Sequence, residues 1–228
     1  MTTEREPQRR SNAFGEADRY GDRNRTPFAA QGLPAQSSGG CIRIVNLSLA
    51  DEQHVKAAEG WLELGLFREA FEELEHIAPE HRVHPDVLKL RWQVYAKAEK
   101  WGNAFTVAEG LARLVPDDVQ PFIWRSYSAR RMKGGGVLHA FELLQDVVRD
   151  FPDEPVVPFN LACYCCQLGR MPQAQSWLHI AFEIAQRNGT EQHWKTKAQA
   201  IQSLLNVPNP RNYAVVVALE NPPFLPRG

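Results

Sequence analysis

The sequence predicts an all-α protein, a right-handed α-solenoid of four helical hairpins closed by a C-terminal capping helix. The first observation is a repeated alanine in apolar helical stretches, at intervals of 34, 36 and 34 residues: Ala70, Ala104, Ala140 and Ala174. The second is that glycine or proline residues lie between these stretches, where they can end a helix. A repeat near 34 residues is typical of stacked helix–turn–helix units, which bury their apolar faces against neighbouring units.

Four copies of this unit form the predicted repeat region. The copies span residues 51–84, 85–118, 119–154 and 155–188. A capping box at Ser48 and Asp51 begins the first helix. Gly65 and Gly169 are placed to end first helices in the left-handed conformation. Copy three is two residues longer than the first copies, and the glycines at 134–136 absorb the difference.

Three further segments flank the copies. A helix over residues 190–206 is expected to cover the apolar face of copy four, so that the repeat domain extends over residues 48–206. Residues 1–47 are expected to form a disordered tail and a short extended lead-in, because most of them are polar. Residues 207–228 hold five prolines around the apolar run 213–219. This C-terminal tail either extends into solvent or docks on the stack.

Composition and charge argue against several classes of function. The formal net charge is −1, so no overall field attracts nucleic acid or an anionic membrane surface. No apolar run approaches the roughly 20 residues that span a bilayer, and no signal-peptide core is present near the N-terminus. The four cysteines do not have the pattern of a disulfide framework. These observations predict a cytoplasmic protein with no membrane or nucleic-acid partner.

No catalytic, cofactor or metal site is predicted, and the chain is not expected to be an enzyme. The glycines at 134–136 lack the Lys-Ser/Thr of a phosphate-binding loop. No Ser-His-Asp or Cys-His arrangement stands out. Three histidines near the end of copy one have no metal-ligand spacing and are expected to be structural or solvated. They are His76, His81 and His84.

The cysteines crowded between residues 163 and 166 leave three interpretations open. Cys163 and Cys166 share a helix face, but a zinc site would need two further ligands, for which only His179 or Cys41 is available. Small apolar packing is the commonest role of such cysteines. The third interpretation is a redox-sensitive thiol at Cys163, which exposure and nearby arginine would favour.

The offsets of small, aromatic and bulky residues resemble the tetratricopeptide repeat family. Residues 51–188 carry the resemblance, most strongly at the four matched alanines and at closing prolines such as Pro116 and Pro152. Copy two departs from the family at Trp92, which occupies a usually small position. Copy four departs at Pro158, which replaces a bulky residue. The resemblance implies a concave face, lined by the first helix of each copy, on which a partner binds.

Positions carried over from the family predict a groove that is acidic, then basic, then apolar. These partner-binding residues are Glu59, Glu63, Lys89, Gln93, Lys97, Tyr127, Arg130, Arg131, Phe159, Cys163 and Cys166. The expected anchors among them are Lys97, Tyr127, Arg130 and Phe159. The alternative is that the charges only solvate helix surfaces. A clamp for a C-terminal carboxylate is not expected, because Trp124 and Gln120 stand where such family members have Asn and Lys.

The function that the resemblance implies is a non-catalytic protein–protein interaction module. It would be an adaptor or assembly factor of a bacterial-type cytoplasm, without a cofactor. It would bind a protein or peptide segment with acidic residues near an apolar anchor. Two alternatives stay open: a chaperone of a secreted or assembling client, and a homo-oligomer formed through the end of the stack or through residues 213–219.

Overall fold

The structure is a computed structural model that describes residues 46–194 and residue 199. Every regular element in this part of the chain is helical, which confirms the all-α prediction there. In chain order the α-helices are α1 (Leu49–Glu63), α2 (Phe67–His76), α3 (Pro85–Lys97), α4 (Trp101–Leu114), α5 (Gln120–Arg131), α6 (Val137–Gln145), α7 (Val147–Asp150), α8 (Val156–Gln167) and α9 (Met171–Arg187). A short 3₁₀ turn, Pro79–His81, lies between α2 and α3.

The helices pack mainly against their neighbours in the chain. α1 packs on α2, α3 on α4, α5 on α6 and α8 on α9. Residues 64–66, 98–100 and 168–170 form three-residue connections within these pairs, whereas residues 132–136 form a five-residue connection between α5 and α6. The two extra residues of copy three therefore lie in this longer connection, as the run of glycines predicts. A Cβ atom on Gly135 would lie 1.8 Å from the Ala129 carbonyl oxygen, so this connection requires glycine there.

The three short connections share one backbone geometry. Gly65 (φ 76°) and Gly169 (φ 72°) have the predicted left-handed conformation, and Glu99 (φ 56°) adopts it without being glycine. In each connection the following amide donates to a carbonyl five residues earlier: Leu66 to Trp61, Lys100 to Tyr95 and Arg170 to Cys165, all at 2.8 Å. This is the Schellman pattern, which satisfies the last carbonyl groups of a helix. It recurs with the spacing of the sequence repeat.

The four matched alanines occupy one structural position. They are Ala70, Ala104, Ala140 and Ala174, and each has an exposed fraction of 0%. Each is the fourth residue of its helix, in α2, α4, α6 and α9, and its amide donates to the residue that precedes that helix. A methyl group at a buried helix contact permits an approach that a larger side chain would prevent. The regular spacing of the alanines therefore reflects one position in the second helix, which recurs in all four copies.

Two apolar clusters lie within the described part of the chain. One joins α1, α2 and α3, and the other joins α5 to α9 and includes Trp194. In addition, Trp92 of α3 stacks on Trp124 of α5, with ring centroids 4.5 Å apart and ring planes 5° from parallel. The large residue at position 92 is therefore accommodated by a stacked partner in the next copy.

Two details of the helix ends follow from local sequence. α1 begins at Leu49 behind Ser48, whose hydroxyl oxygen accepts a hydrogen bond from the Asp51 amide at 3.1 Å. This bond confirms Ser48 as the N-cap and is the first of the two bonds of a capping box. The second helix of copy three is divided at Asp146 into α6 and α7. The β-branched residues 147 and 148 follow this break and have lower helix propensity than unbranched residues.

The predicted capping helix and tails are described only in part. Residues 191–194 are helical, and so is residue 199. Residues 1–45, 195–198 and 200–228 lie outside the described residues, so the predictions for the two tails and for most of the capping helix concern that part of the chain. Within the described part, none of the helices has the length and apolar character needed to cross a bilayer.

Candidate functional site

Two guanidinium groups and an indole surround one tyrosine ring near the end of α5. The Arg131 guanidinium carbon lies 3.4 Å from the centroid of the Tyr127 ring, and that of Arg130 lies 5.6 Å from it. Arg131 also lies 5.3 Å from the Trp101 ring, and the Trp101 and Tyr127 rings meet edge to face at 5.8 Å. Cations at these distances are attracted to the ring faces. We call Trp101, Tyr127, Arg130 and Arg131 the arginine–aromatic cluster.

Helix geometry assembles this cluster from nearby sequence. Tyr127 precedes Arg130 and Arg131 by three and four residues, so the three side chains lie on one face of α5. The arginines lie in the last turn of α5, where the helix dipole favours positive charge. Arg131 Nη1 also donates to the Tyr127 carbonyl oxygen at 3.2 Å. Trp101 is the first residue of α4, so the turn between α3 and α4 positions it.

Side chains about one repeat apart connect the first helices of successive copies beside the cluster. Arg130 Nη1 of α5 donates to Gln167 Oε1 of α8 at 2.9 Å, across 37 residues of sequence. Trp92 Nε1 of α3 donates to Ser128 Oγ of α5 at 3.1 Å, across 36 residues. The first helices of copies two, three and four are thus adjacent here. The three predicted site residues of copy three are brought together at this place.

The predicted site residues of copies one and two have different surroundings. The two on α1 are exposed, and they are Glu59 and Glu63. On α3, Lys97 is exposed and Gln93 is half-buried. Lys89 Nζ lies 3.6 Å from Asp118 Oδ2 in the connection between α4 and α5. Lys89 is therefore engaged by its own chain.

The predicted site residues of copy four lie in the core. Phe159, Cys163 and Cys166 have exposed fractions of 1%, 0% and 2%. The predictions of an accessible apolar anchor and of an exposed thiol at these positions are therefore wrong. The reason is that α8 is surrounded, since every residue from Val156 to Cys166 is buried. The Phe159 ring packs against that of Trp194, with centroids 5.1 Å apart.

Burial also decides the chemistry of the neighbouring thiols. Loss of hydration raises the pKa of Cys165 and that of Cys166 to about 11. Arg170 offsets a part of this effect on the pKa of Cys165. A thiol with such a pKa is protonated at neutral pH and is a poor nucleophile. Of the three interpretations of the cysteines, apolar packing is the one that this burial supports.

The buried carboxylate of Asp51 connects α1 to the segment after α2. The sequence indicates Asp51 only as part of the helix cap. Asp51 Oδ1 accepts from the Ala78 amide at 2.9 Å, and Oδ2 lies 2.6 Å from both Ser48 Oγ and His81 Nδ1. The hydrogen bond from Ser48, followed by those from Ala78 and His81, holds the pKa of Asp51 well below its usual range. These bonds connect the start of α1 to the residues that follow α2.

Two arginines that sequence reasoning missed close the C-terminal end of α2. Arg82 Nη2 donates to the Glu75 carbonyl oxygen at 2.6 Å, and Arg82 Nε donates to that of Ile77 at 2.9 Å. Buried Arg91 donates from Nη1 to Glu75 Oε1 at 2.6 Å. The bond from Arg82 to Glu75 satisfies a carbonyl group in the last turn of α2 that has no partner within the helix, whereas the bond from Arg91 reaches the Glu75 carboxylate. Their role is to fix the end of α2 against α3.

Comparison with protein-family models and with curated protein sequences finds no match to this chain.

Proposed function

We propose that the chain is a right-handed α-solenoid of four tetratricopeptide-like repeats. Two repeated features support this architecture: the same turn geometry at residues 65, 99 and 169, and a buried alanine as the fourth residue of each second helix. Contacts concentrated between chain neighbours are typical of such stacks. In this arrangement the first helices line the concave face.

We further propose that the protein is a non-catalytic interaction module that binds a partner segment on the first helices. The arginine–aromatic cluster is the observation that carries this proposal. It combines two cations with two large rings on helices that lie beside one another, and such residue types dominate the binding energy of protein interfaces. Lys97 adds a third cation at the end of α3.

The chemistry of the cluster defines the partner segment. Arginine pairs with carboxylates in a planar, two-point geometry, which favours Asp or Glu in the partner. An exposed ion pair contributes only about 0–1 kcal/mol, so charge alone would bind weakly. Contact of an apolar side chain with Tyr127 and Trp101 supplies the remaining energy. We therefore expect an acidic segment with an aromatic or aliphatic residue beside the carboxylates.

A peptide-display selection tests this proposal. Random peptides displayed on phage are selected on the immobilised full chain, and one enriched peptide is synthesised with a fluorescent label for anisotropy titration. Arg130→Glu and Arg131→Glu are each expected to weaken its binding by about 30-fold, which corresponds to about 2 kcal/mol. Arg113→Glu is the matched control, because Arg113 is an exposed arginine of α4 that pairs with Glu109 at 3.1 Å.

The selection also separates the proposed module from a chaperone. A chaperone would enrich diverse apolar peptides without acidic residues, and its binding would be insensitive to charge reversal at Arg130 and Arg131. Equal affinity of wild type and both variants for every enriched peptide would contradict binding at the cluster.

Self-association is a second candidate function, which an exposed apolar patch favours. Leu64, Leu66 and Phe67 have exposed fractions of 71%, 41% and 41% and lie next to one another where α1 meets α2. Exposed large apolar residues that adjoin one another often mark interaction sites. We expect sedimentation velocity to show a concentration-dependent dimer that Leu64→Glu reduces. Leu138→Glu, at an exposed leucine of α6 (45%), is the control, and a monomer at all concentrations would contradict this candidate.

A further inference from the structure

Two histidines and a carboxylate lie close together between α1 and α2, in copy one. The arginine–aromatic cluster lies elsewhere, in copies two and three. His54 belongs to α1, whereas Glu73 and His76 are three residues apart on α2. His54 Nδ1 lies 2.8 Å from Glu73 Oε2, and His76 Nδ1 lies 4.0 Å from the same oxygen. One potential ligand atom from each residue lies within 4.8 Å of the other two.

We infer that His54, Glu73 and His76 bind one divalent transition-metal ion of the zinc class. Two imidazole nitrogens and a carboxylate oxygen form a ligand set that suits Zn²⁺, and three protein ligands leave a fourth position for water. The two nitrogen ligands disfavour Mg²⁺ and Ca²⁺, which prefer oxygen. The proposal does not depend on the function proposed above.

The distances fit such an ion after a small movement. Bonds of about 2.1 Å in a tetrahedral site place ligand atoms about 3.4 Å apart, and the separations of 2.8 and 4.0 Å from Glu73 Oε2 to the two histidine nitrogens lie on either side of this value. His76, whose side chain is 65% exposed, has room to turn and to shorten the longer separation, whereas the shorter one, from His54 to Glu73, must widen by about 0.6 Å. The exposure of His76 also gives the ion access from solvent.

The surroundings of Glu73 prepare it as a ligand. The Trp61 side chain, which is not one of the proposed ligands, donates a hydrogen bond to the Glu73 carboxylate. A hydrogen bond from a neighbouring side chain is the usual way in which a ligating carboxylate is oriented. Without metal, a hydrogen bond joins His54 Nδ1 to Glu73, and the ion would replace the shared proton, because a histidine nitrogen must be deprotonated to bind a metal. That hydrogen bond does not involve His76, whose ring lies 5.3 Å from the His54 ring and is tilted by 37°.

Metal binding at this place would connect α1 to α2. An ion that binds only the folded chain raises its stability according to its concentration and affinity. The first helical pair, which lies at the end of the described repeat region, is therefore expected to become more stable with Zn²⁺.

The experiment uses the full chain without an affinity tag, after treatment with a chelator. Zn²⁺ is titrated by calorimetry, and Co²⁺ is added in parallel because its visible absorption reports four-coordinate geometry with nitrogen ligands. Wild type is expected to bind one equivalent of each ion and to unfold at a higher temperature with Zn²⁺. His54→Gln and His76→Gln are expected to weaken Zn²⁺ binding at least tenfold and to remove the Co²⁺ bands.

His179→Gln is the matched control, because His179 is an exposed histidine that lies 3.2 Å from Glu183. It should leave binding unchanged. His76→Gln is the decisive variant, because the exposed His76 side chain can be replaced without loss of the fold. Circular dichroism of the variant tests whether it is folded. Equal Zn²⁺ affinity of wild type and His76→Gln, or an equal loss in His179→Gln, would overturn the inference.

Discussion

Asp51 connects the beginning of α1 to the residues that follow α2. Its carboxylate receives hydrogen bonds from Ser48, the Ala78 amide and His81. Hydrogen bonds to a carboxylate favour its ionised form. These bonds belong to the folded chain, because Ala78 and His81 are distant from Asp51 in the sequence. Ionisation of Asp51 and folding of copy one are therefore coupled.

The substitution Asp51→Asn is expected to lower the free energy of unfolding at neutral pH. A carboxyl group whose pKa is lower in the folded than in the unfolded state stabilises the fold above its unfolded pKa and loses this effect as the pH falls. The difference between wild type and Asp51→Asn should therefore shrink as the pH falls below 3.8, the usual value for Asp. Urea denaturation at several pH values measures it.

Asp117→Asn, at an exposed carboxylate of the connection before α5, is the control and should leave stability nearly unchanged. A difference for Asp51→Asn that stays constant from neutral pH to well below 3.8 would show that its carboxylate charge does not stabilise the fold.

The cysteines of α8 are expected to resist alkylation in the folded protein. Cys163, Cys165 and Cys166 are buried, and the raised pKa of Cys165 and of Cys166 keeps both thiols protonated at neutral pH. Iodoacetamide treatment followed by peptide mass spectrometry should find these three residues unmodified before denaturation and modified after it. Rapid native labelling of any of the three would restore the interpretation of an accessible thiol.

The connection between α3 and α4 has the geometry of its counterparts but not their residue. Glu99 adopts φ 56° where Gly65 and Gly169 stand in the equivalent turns. A left-handed residue with a Cβ atom costs about 1–2 kcal/mol, and glycine avoids this cost while losing more backbone entropy on folding. We expect Glu99→Gly to raise the free energy of unfolding by about 0.5–1 kcal/mol.

Glu99→Ala is the control for this turn, because it removes the charge and keeps the Cβ atom. Chemical denaturation of the two variants should show a gain for glycine alone. An equal gain for alanine would assign the effect to the carboxylate rather than to the backbone conformation.

The helices and their turns were predictable from sequence because their signals are local. The Ser48 cap, the left-handed Gly65 and Gly169, and the alanine register all depend on residues close together in the chain. The longer connection at residues 132–136 followed from a difference in repeat length. Helix ends and turns therefore needed no knowledge of distant contacts.

The sites were predictable only where they lie on one helix face. Tyr127, Arg130 and Arg131 came together because three- and four-residue spacings determine their positions on α5. The burial of α8 depends on what surrounds it, so the surface positions predicted for Phe159 and Cys163 were wrong. The contact between His54 and Glu73 depends on how α1 and α2 are rotated against each other, which sequence spacing does not specify.

The described helices bring the half-buried residues of the arginine–aromatic cluster together where α4 meets α5. Exposed carboxylates lie on α1, at Glu59 and Glu63. Polar contacts between successive copies, such as that from Trp92 to Ser128, hold the first helices in register. A partner segment that extends across several copies would thus meet acidic and basic regions in a fixed order. This order is expected to set the direction in which the segment binds.

A charge-exchange titration tests binding at the arginine–aromatic cluster most directly. The acidic residues of a selected peptide are replaced one at a time by lysine, and each peptide is titrated against wild type, Arg131→Glu and Arg113→Glu. We predict that one lysine peptide loses affinity for wild type and regains it with Arg131→Glu, whereas Arg113→Glu behaves as wild type. If no exchanged pair regains affinity, or if Arg131→Glu binds the original peptide as well as wild type does, the cluster is not the binding surface.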